Sequence, residues 1–271
     1  MTDQNIQHQG VEPRTLGSTN WVGLYTLIGK ETGRFMNVYL QTIAGPMVTT
    51  LLFYTVFALA FGGNGRMIGD IPYMTFLGPG LVMMSMLQNA FANTSSSLMI
   101  SKVQGNIVDV LMPPISPMEL ILGYTLAGVI RGLVVGVSSF AVVMFFIPLG
   151  NVYIFPLVAF SLMGCFLMSL LGLVAGLWSQ KFDHLAAITN FIIMPLTFLS
   201  GTFYSVNVLP PAWQAVIHAN PFFSMIDGFR FGLIGYHEGN LWNGIGMLSV
   251  ISFGLFVYTY SLFITGFRTK G

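Results

Sequence analysis

A segment with two glycines that ends in a lysine, Gly23 to Lys30, is the first part of the chain whose spacing suggests a known chemistry. A nucleotide-binding P-loop reads G-x-x-x-x-G-K-[ST], in which backbone amides cradle the phosphates and the final hydroxyl holds Mg²⁺. Here Gly23 stands one position too early, and Glu31 occupies the place of the hydroxyl residue. The sequence therefore predicts no nucleotide site and no cofactor site in this chain.

Ion-driven transport would need a titratable group in the middle of an apolar segment. Arg131 is the charge that lies clearly within such a segment, and arginine is not deprotonated in proteins. Two interpretations of Arg131 stay open. It is either a structural residue, paired with backbone carbonyls or extended toward the headgroups, or a residue for substrate binding or gating.

Catalysis and metal binding find little support in the pattern. The four histidines (His8, His184, His218 and His237) have no partners at metal or catalytic-triad spacing, and Cys165 has no histidine near it in sequence. A single cysteine also excludes an internal disulfide. The sequence therefore predicts neither a hydrolase nor a metal site.

The helices that hold these residues can be predicted from the stretches of the chain that contain no charged residue. Charged residues are 7% of the chain and hydrophobic residues 54%. The segments 35–65, 71–101, 132–180, 184–226 and 239–267 contain no Asp, Glu, Lys or Arg. A charge at the bilayer centre costs about 2.5–3.5 kcal/mol, and a crossing helix needs about 20 mostly apolar residues. The pattern predicts an all-α polytopic membrane protein.

Helix-breaking residues and turns divide these stretches into six predicted spans. Ser116 and Glu119 form an S-x-x-E capping box with Pro117 at the first helical position, which marks the start of the third span. We expect residues 21–271 to form one transmembrane domain after a disordered cytoplasmic tail, 1–20. The six spans are 40–61, 72–98, 118–147, 154–178, 185–203 and 241–266.

Two amphipathic segments outside the spans are too charged to cross a membrane. The pattern of residues 21–36 predicts a helix that lies in the membrane–water interface, with Trp21 and Tyr25 on its apolar face. Residues 101–112 predict a second helix, stopped by Pro113. Both are suited to receive force from another subunit. The candidate coupling residues are Lys30, Glu31, Arg34, Asn106, Ile107, Asp109 and Leu111.

Residues 204–238 are apolar but interrupted by prolines, which favours two short helices, 211–219 and 222–235, that dip into one leaflet. Asp227 and Arg230 are three residues apart, so on a helix they share a face. They either pair to hold this re-entrant hairpin or extend separately to the headgroups. The candidate outer-gate residues are Gly201, Pro210, Pro211, Asn220, Pro221, Asp227 and Arg230.

Polar and glycine patterns inside the spans complete the set of candidates. The second span carries Gln88, Asn89 and Asn93, which with Arg131 are the candidate intramembrane polar residues. The G-x-x-x-G spacings at Gly132 and Gly172 predict close helix packing, within one subunit or between two.

The placement of positive charge predicts the orientation. With six crossings, both termini share one side with most lysines and arginines, whereas Arg66 and Arg230 lie opposite. The positive-inside rule then places both termini in the cytoplasm and 204–238 outside.

The chain resembles the membrane subunit of a type-2 ABC exporter, and within that family it is similar to YadH-type inner-membrane permeases and to the permeases of nodulation lipo-oligosaccharide exporters. The resemblance covers nearly all of 21–267. It is most specific in Leu199 to Ser205 (LSGTFYS), Leu209-Pro210-Pro211-x-Trp213, Asn220-Pro221 and Gly228-Phe229-Arg230. The blocks 73–81 and 127–133 also match the family's second and third spans.

The resemblance implies a homodimer in the bacterial inner membrane, bound to two copies of an ABC ATPase that hold ATP and Mg²⁺. It also implies export of a hydrophobic or amphipathic substrate: a glycolipid, a polysaccharide or a drug-like molecule. No nucleic-acid partner is expected. An ion-coupled secondary transporter is the alternative, which would require an intramembrane carboxylate; a membrane-embedded enzyme would require inward-facing catalytic partners.

Overall fold

The structure, a computed structural model, describes residues 19–61, 66–107, 112, 114–147 and 151–266. Within these described residues nine main helices follow one another, with a short antiparallel ladder between the second and third. They are α1 (Trp21–Met36), α2 (Leu40–Phe61), β1 (Met67–Ile68), β2 (Ile71–Pro72), α3 (Tyr73–Val103), α4 (Pro117–Val143), α5 (Ile154–Trp178), α6 (Phe182–Phe198), α7 (Pro211–His218), α8 (Pro221–Ile234) and α9 (Leu241–Thr265).

Four of these helices, α2, α4, α5 and α9, are long and apolar enough to cross a membrane. Helix α3 has 31 residues, a rise of about 46 Å, but most of its residues are buried and many are polar. Helix α6 rises only about 26 Å. The prediction of an all-α polytopic membrane protein is confirmed, and the six-span count stays a prediction.

Some predicted boundaries were wrong. Helix α6, which corresponds to the predicted fifth span, begins at Phe182 and ends at Phe198, whereas we expected residues 185–203. The residues that follow it form bends, and Gly201 adopts a φ of 67°. Helix α3 also continues five residues beyond the predicted end of the second span, as far as Val103. The two short helices predicted within 204–238 are confirmed as α7 and α8.

Helix α3 lies at the centre of the bundle, packed against α4, α5 and α8. Glycines permit the close approach: a Cβ on Gly172 would lie 2.5 Å from the carbonyl oxygen of Phe91, and one on Gly132 3.2 Å from that of Met86. Both G-x-x-x-G spacings therefore serve packing within the subunit. Helix α1 packs on the outside of α4, while α2 and α9 remain largely exposed.

The amphipathic faces of the two predicted cytoplasmic helices need correction. In α1 the buried residues are Leu24, Leu27, Glu31 and Phe35, whereas Trp21 and Tyr25 are exposed.

Residues 101–112 do not form one helix. The first three belong to α3, and a turn at 104–106 follows, in which Gly105 takes a φ of 74°. That left-handed glycine ends α3 as a typical C-terminal cap.

Candidate functional site

The bundle has two ends, each with its own polar junction. At one end, called here the α1 end, the start of α1 meets the start of α4, and the end of α3 meets the end of α5. At the opposite end, called the α8 end, α8 meets the start of α3 and the start of α5. The candidate site residues fall into these two junctions and a polar cluster between them.

Glu119 ties three pieces of chain together at the α1 end. Its Oε2 accepts from the backbone N–H of Ser116 at 2.7 Å, completing the predicted capping box. Its Oε1 accepts from the backbone N–H of Asn20 at 2.6 Å, immediately before α1. Asn20 Nδ2 also donates to the carbonyl of Pro114 at 3.2 Å. The start of α1 is thus fastened to the segment that enters α4.

Lys102 fastens the other side of this junction. Its ammonium donates to the backbone carbonyls of Gly176 (2.9 Å), Leu177 and Ser179 (3.1 Å) at the end of α5. A cation at a helix C-terminus is also favoured by the helix dipole. Because Lys102 is one turn from Gly105, a displacement of the 104–107 segment would be transmitted to α5.

A charged cluster lies between α1 and the middle of α3. Glu31 is only 1% exposed and pairs with Arg34, whose Nε lies 3.0 Å from Glu31 Oε2. Arg34 Nη2 donates to the backbone oxygen of Asn93 at 2.8 Å and to its Oδ1 at 3.1 Å. Glu31 and Arg34, which we expected with Lys30 on the side of α1 opposite its apolar face, therefore face the bundle. Lys30 is exposed.

Arg131 extends this cluster along α3. Its Nη2 donates to Asn89 Oδ1 at 3.0 Å, so Arg131 connects α4 to a side chain of α3. Asn89 and Asn93 are four residues apart, about 6 Å along one helix face. A cavity of about 300 Å³ lies beside Asn89, and Gln88 and Asn89 form part of its wall.

Arg230 and Asp227 form the junction at the α8 end. Both are buried, at 0% and 2% side-chain exposure, and Arg230 Nη1 lies 3.7 Å from Asp227 Oδ1. Arg230 also donates to the carbonyls of Phe76 (3.2 Å) and Gly201 (2.8 Å), and its guanidinium lies 3.7 Å from the centre of the Phe76 ring. The two residues pair rather than extending separately to the headgroups.

Glu238 joins this junction to the loop before α7. It accepts from the backbone N–H of Val206 at 2.7 Å, from Ser205 Oγ and from the Tyr236 hydroxyl at 3.1 Å. The backbone N–H groups of Glu238 and Gly239 donate to the two Asp227 oxygens at 2.9 and 2.8 Å. Burial, with the nearby Glu238 carboxylate, raises the pKa of Tyr236 to about 12, so its hydroxyl remains a donor.

The remaining candidates occupy defined local positions. Pro210 and Asn220 are the N-caps of α7 and α8, and Pro211 and Pro221 are their first helical residues. Asn220 Nδ2 also donates to the carbonyl of Leu196 at 3.0 Å. Asn106 is exposed in the turn after α3, and Ile107 is buried. Asp109 and Leu111 lie outside the described residues, as do residues 1–18.

Sequence reasoning missed two side chains of these junctions, Lys102 and Glu238, and the bond from the Asn20 backbone to Glu119. The capping box identified Glu119 but gave no sign of its second partner, which is 99 residues away. Among the described residues, no group of three or more His, Cys, Asp or Glu could hold a metal ion. The polar residues instead bind backbone groups and one another, and so connect helices that are distant in the chain.

This is the architecture of a polytopic helical transport protein, with polar junctions at the ends of an apolar bundle. Residues 23–234 match the ABC-2 type transporter family, and the chain belongs to that family. It is therefore the transmembrane subunit of an ABC transporter. Such a subunit works with an ABC ATPase and is not itself catalytic.

The relatives support the same assignment over nearly the whole chain. The inner membrane transport permease YadH of Escherichia coli K12 is 38% identical over 250 residues, covering 91% of this chain and 96% of that protein. Nodulation protein J of Neorhizobium galegae is 24% identical over 244 residues, covering 86% and 88%. Nodulation protein J of Rhizobium meliloti is 25% identical over 228 residues, covering 80% and 82%. The chain is a multi-pass membrane protein related to bacterial inner-membrane permeases.

Proposed function

We propose that this chain is the permease of an ATP-driven exporter, in which two copies form the path for a hydrophobic or amphipathic substrate. Each copy crosses the bacterial inner membrane six times, with α3 and α6 as the second and fifth spans and both termini in the cytoplasm. Two copies of a separate ABC ATPase bind ATP and Mg²⁺. They contact α1 and the 104–112 segment, and α7 and α8 close the outer end.

The observation that best supports this proposal is the junction around Glu119. One carboxylate accepts from both the residue before α1 and the residue before α4. Movement imposed on either cytoplasmic element would therefore be shared by the other and passed into α4. The Lys102 contacts pass the same movement to α5.

A reconstitution experiment distinguishes ATP-driven transport from ion-coupled transport. We expect the permease, reconstituted with its cognate ATPase, to move an amphiphile that stimulates ATP hydrolysis when ionophores have abolished all ion gradients. An ion-coupled transporter would instead need the gradient and no ATP. Among the described residues three carboxylates are buried: Glu31, Glu119 and Asp227. Glu31 and Asp227 each pair with an arginine, and Glu119 accepts from two backbone N–H groups, which disfavours proton exchange at all three.

The Glu119→Gln variant tests the junction. An amide has one acceptor oxygen, so one of the two backbone N–H groups loses its partner. Substitutions in a coupling network change coupling by about 0.5–2 kcal/mol, so we expect export per ATP hydrolysed to fall about two- to thirtyfold. Asp183→Asn is the matched control, since Asp183 is an exposed acid in α6. Unchanged export per ATP in Glu119→Gln would show that this junction does not transmit movement.

Cysteine labelling tests the orientation. Cys165 is fully buried, so the native thiol gives little background. Asn207 and Asp183 are both exposed, and we expect a membrane-impermeant maleimide added outside cells to label Asn207→Cys but not Asp183→Cys. Labelling with the opposite sidedness would overturn the topology, and inverted vesicles provide the complementary control.

A further inference from the structure

Two arginines from different helices are held against one face of α3. Arg34 of α1 donates to Asn93, and also to Ser96 Oγ at 3.4 Å. Arg131 of α4 donates to Asn89 at 3.0 Å. The single carboxylate paired with either of them among the described residues is Glu31. The cluster therefore carries one positive charge in excess, beside a mostly apolar bundle.

This cluster has hydrogen-bond donors to spare. Within the described part of the chain, Arg131 Nε and Asn93 Nδ2 are buried and have no partner. Asn93 itself is 0% exposed. The side-chain oxygens of both asparagines are already used by the arginines. The excess positive charge attracts an anionic oxygen, and the two unpartnered donors lie within the cluster and not in the wall of the cavity beside Gln88 and Asn89.

The cavity of about 300 Å³ reaches this cluster. Asn89 and Ser96, which accept from Arg131 and Arg34, both line it. An anionic group in the cavity would thus be one side chain away from each arginine. The opposite wall is formed by α6 and is mostly apolar, with Leu185, Ile193 and Met194.

A second cavity, of about 310 Å³, adjoins the first. The two share Phe91 and Ile193 in their walls. The rest of the second cavity is lined by Leu171, Val174, Ala175, Trp178, Ile188 and Ile192, all apolar apart from the indole N–H. The cavity next to the two arginines, with polar side chains on its α3 wall, therefore continues into one suited to hydrocarbon.

We propose that these adjoining cavities bind an amphiphile with an acidic head group, the phosphate or carboxylate facing Asn89 and Ser96 and the hydrocarbon passing Phe91. This inference rests on the proposed export function and narrows its substrate class. Arg131 and Arg34 determine the preference for an acidic over a neutral head group, because their charge is only partly balanced by Glu31.

Lipid binding to the purified full-length protein tests this inference without the ATPase. The probes are dioleoyl phosphatidic acid, dioleoyl phosphatidylcholine and diolein, compared by native mass spectrometry. We expect phosphatidic acid to bind in preference to the other two. Arg131→Gln should weaken its binding about tenfold and leave diolein binding unchanged. Arg131→Lys should retain much of the preference, because it keeps the charge.

Lys181→Gln is the matched control, since it removes an exposed positive charge just before α6. Its phosphatidic acid binding should equal that of the parent protein. Equal losses in Lys181→Gln and Arg131→Gln would assign the effect to general surface charge and overturn the inference. Full binding in Arg131→Gln would overturn it as well. If ATP-driven export persists in either of those cases, the export function stands and this inference alone fails.

Arg34→Gln would leave Glu31 buried without its partner, so a poorly folded protein is a foreseeable result. The double variant Glu31→Gln with Arg34→Gln avoids that unpaired charge. We expect it to fold and to lose part of the preference for phosphatidic acid, because Arg34 no longer donates to Ser96 in the cavity wall, although Arg131 still carries the excess charge. A folded double variant with the parental preference would remove Arg34 from the proposed site.

Discussion

Arg230→Gln should destabilise the protein by about 3–5 kcal/mol, since breaking a buried ion pair leaves an uncompensated charge. Arg230 is fully buried and its Nη1 lies 3.7 Å from Asp227 Oδ1. The variant also loses hydrogen bonds to Phe76 and Gly201, at 3.2 and 2.8 Å. These bonds connect α8 to the start of α3 and to the chain after α6. We therefore expect both thermal stability and transport to fall.

A double-mutant cycle isolates the contribution of the pair. Asp227→Asn alone should also destabilise, because its amide nitrogen would face one of the two backbone N–H groups that now donate to Asp227. Combined with Arg230→Gln it should cost less than the sum of the two single changes, since neither variant side chain then carries an unpaired charge. Additive losses would show that the two residues act independently.

Arg66→Gln is the matched control at the same end of the bundle. Arg66 is exposed and lies 5.1 and 5.4 Å from the ring centres of Phe61 and Tyr73. Such contacts contribute about 0.5–1 kcal/mol at exposed sites. A loss in Arg66→Gln as large as that in Arg230→Gln would contradict the view that burial, rather than charge alone, makes Arg230 important.

The sequence identified the apolar helices well because a bilayer imposes a simple requirement on them. Length and absence of charge were sufficient for α2, α4, α5 and α9, and the start of α4 and the end of α9 follow from local signals. The end of α4 was wrong, since the helix stops at Val143 and not at the predicted residue 147. Ser116 and Pro117 begin α4, and Gly266, with a φ of 63°, ends α9. These signals act within one turn, so sequence reasoning can identify them.

Two errors arose from local signals that were present but not used. Leu24, Leu27, Glu31 and Phe35 follow spacings of three and four, so helical geometry alone places Glu31 on the buried face. The charge of Glu31 misled the assignment, because Glu31 was grouped with Lys30 and Arg34 as a charged residue and its place in the apolar spacing was not used. Gly105 likewise marks the end of α3, yet the apolar pattern of 101–112 favoured an unbroken helix.

The junctions could not be predicted from the sequence, because the residues that meet in them are far apart in the chain. Glu119 meets Asn20 across 99 residues, and Arg230 meets Phe76 across 154. No spacing rule connects such residues in a single sequence. The Asp227–Arg230 pair was predictable because the two residues are three apart on one helix. Its attachment to Glu238 and Gly239 depends on the path of the loop after α8.

Gly172→Ala should destabilise the protein by about 1–3 kcal/mol, the usual cost of overpacking a close contact. A Cβ at Gly172 would lie 2.1 Å from Thr94 Oγ1 and 2.5 Å from the carbonyl oxygen of Phe91. The backbone oxygen cannot rotate away, so α3 and α5 must separate. Separation would also strain the bond from Thr94 Oγ1 to the carbonyl of Ser169, now 2.8 Å.

Gly254→Ala provides the opposite case within the same protein. Gly254 lies inside α9 and a Cβ there meets nothing within 4 Å. Because alanine favours the helix by about 0.5–1 kcal/mol over glycine, this variant should keep or slightly gain stability. Thermal unfolding of the two variants in the same detergent compares a glycine required for packing with one that is not. Equal midpoints would show that α3 and α5 accommodate a methyl group and that Gly172 is not needed for their contact.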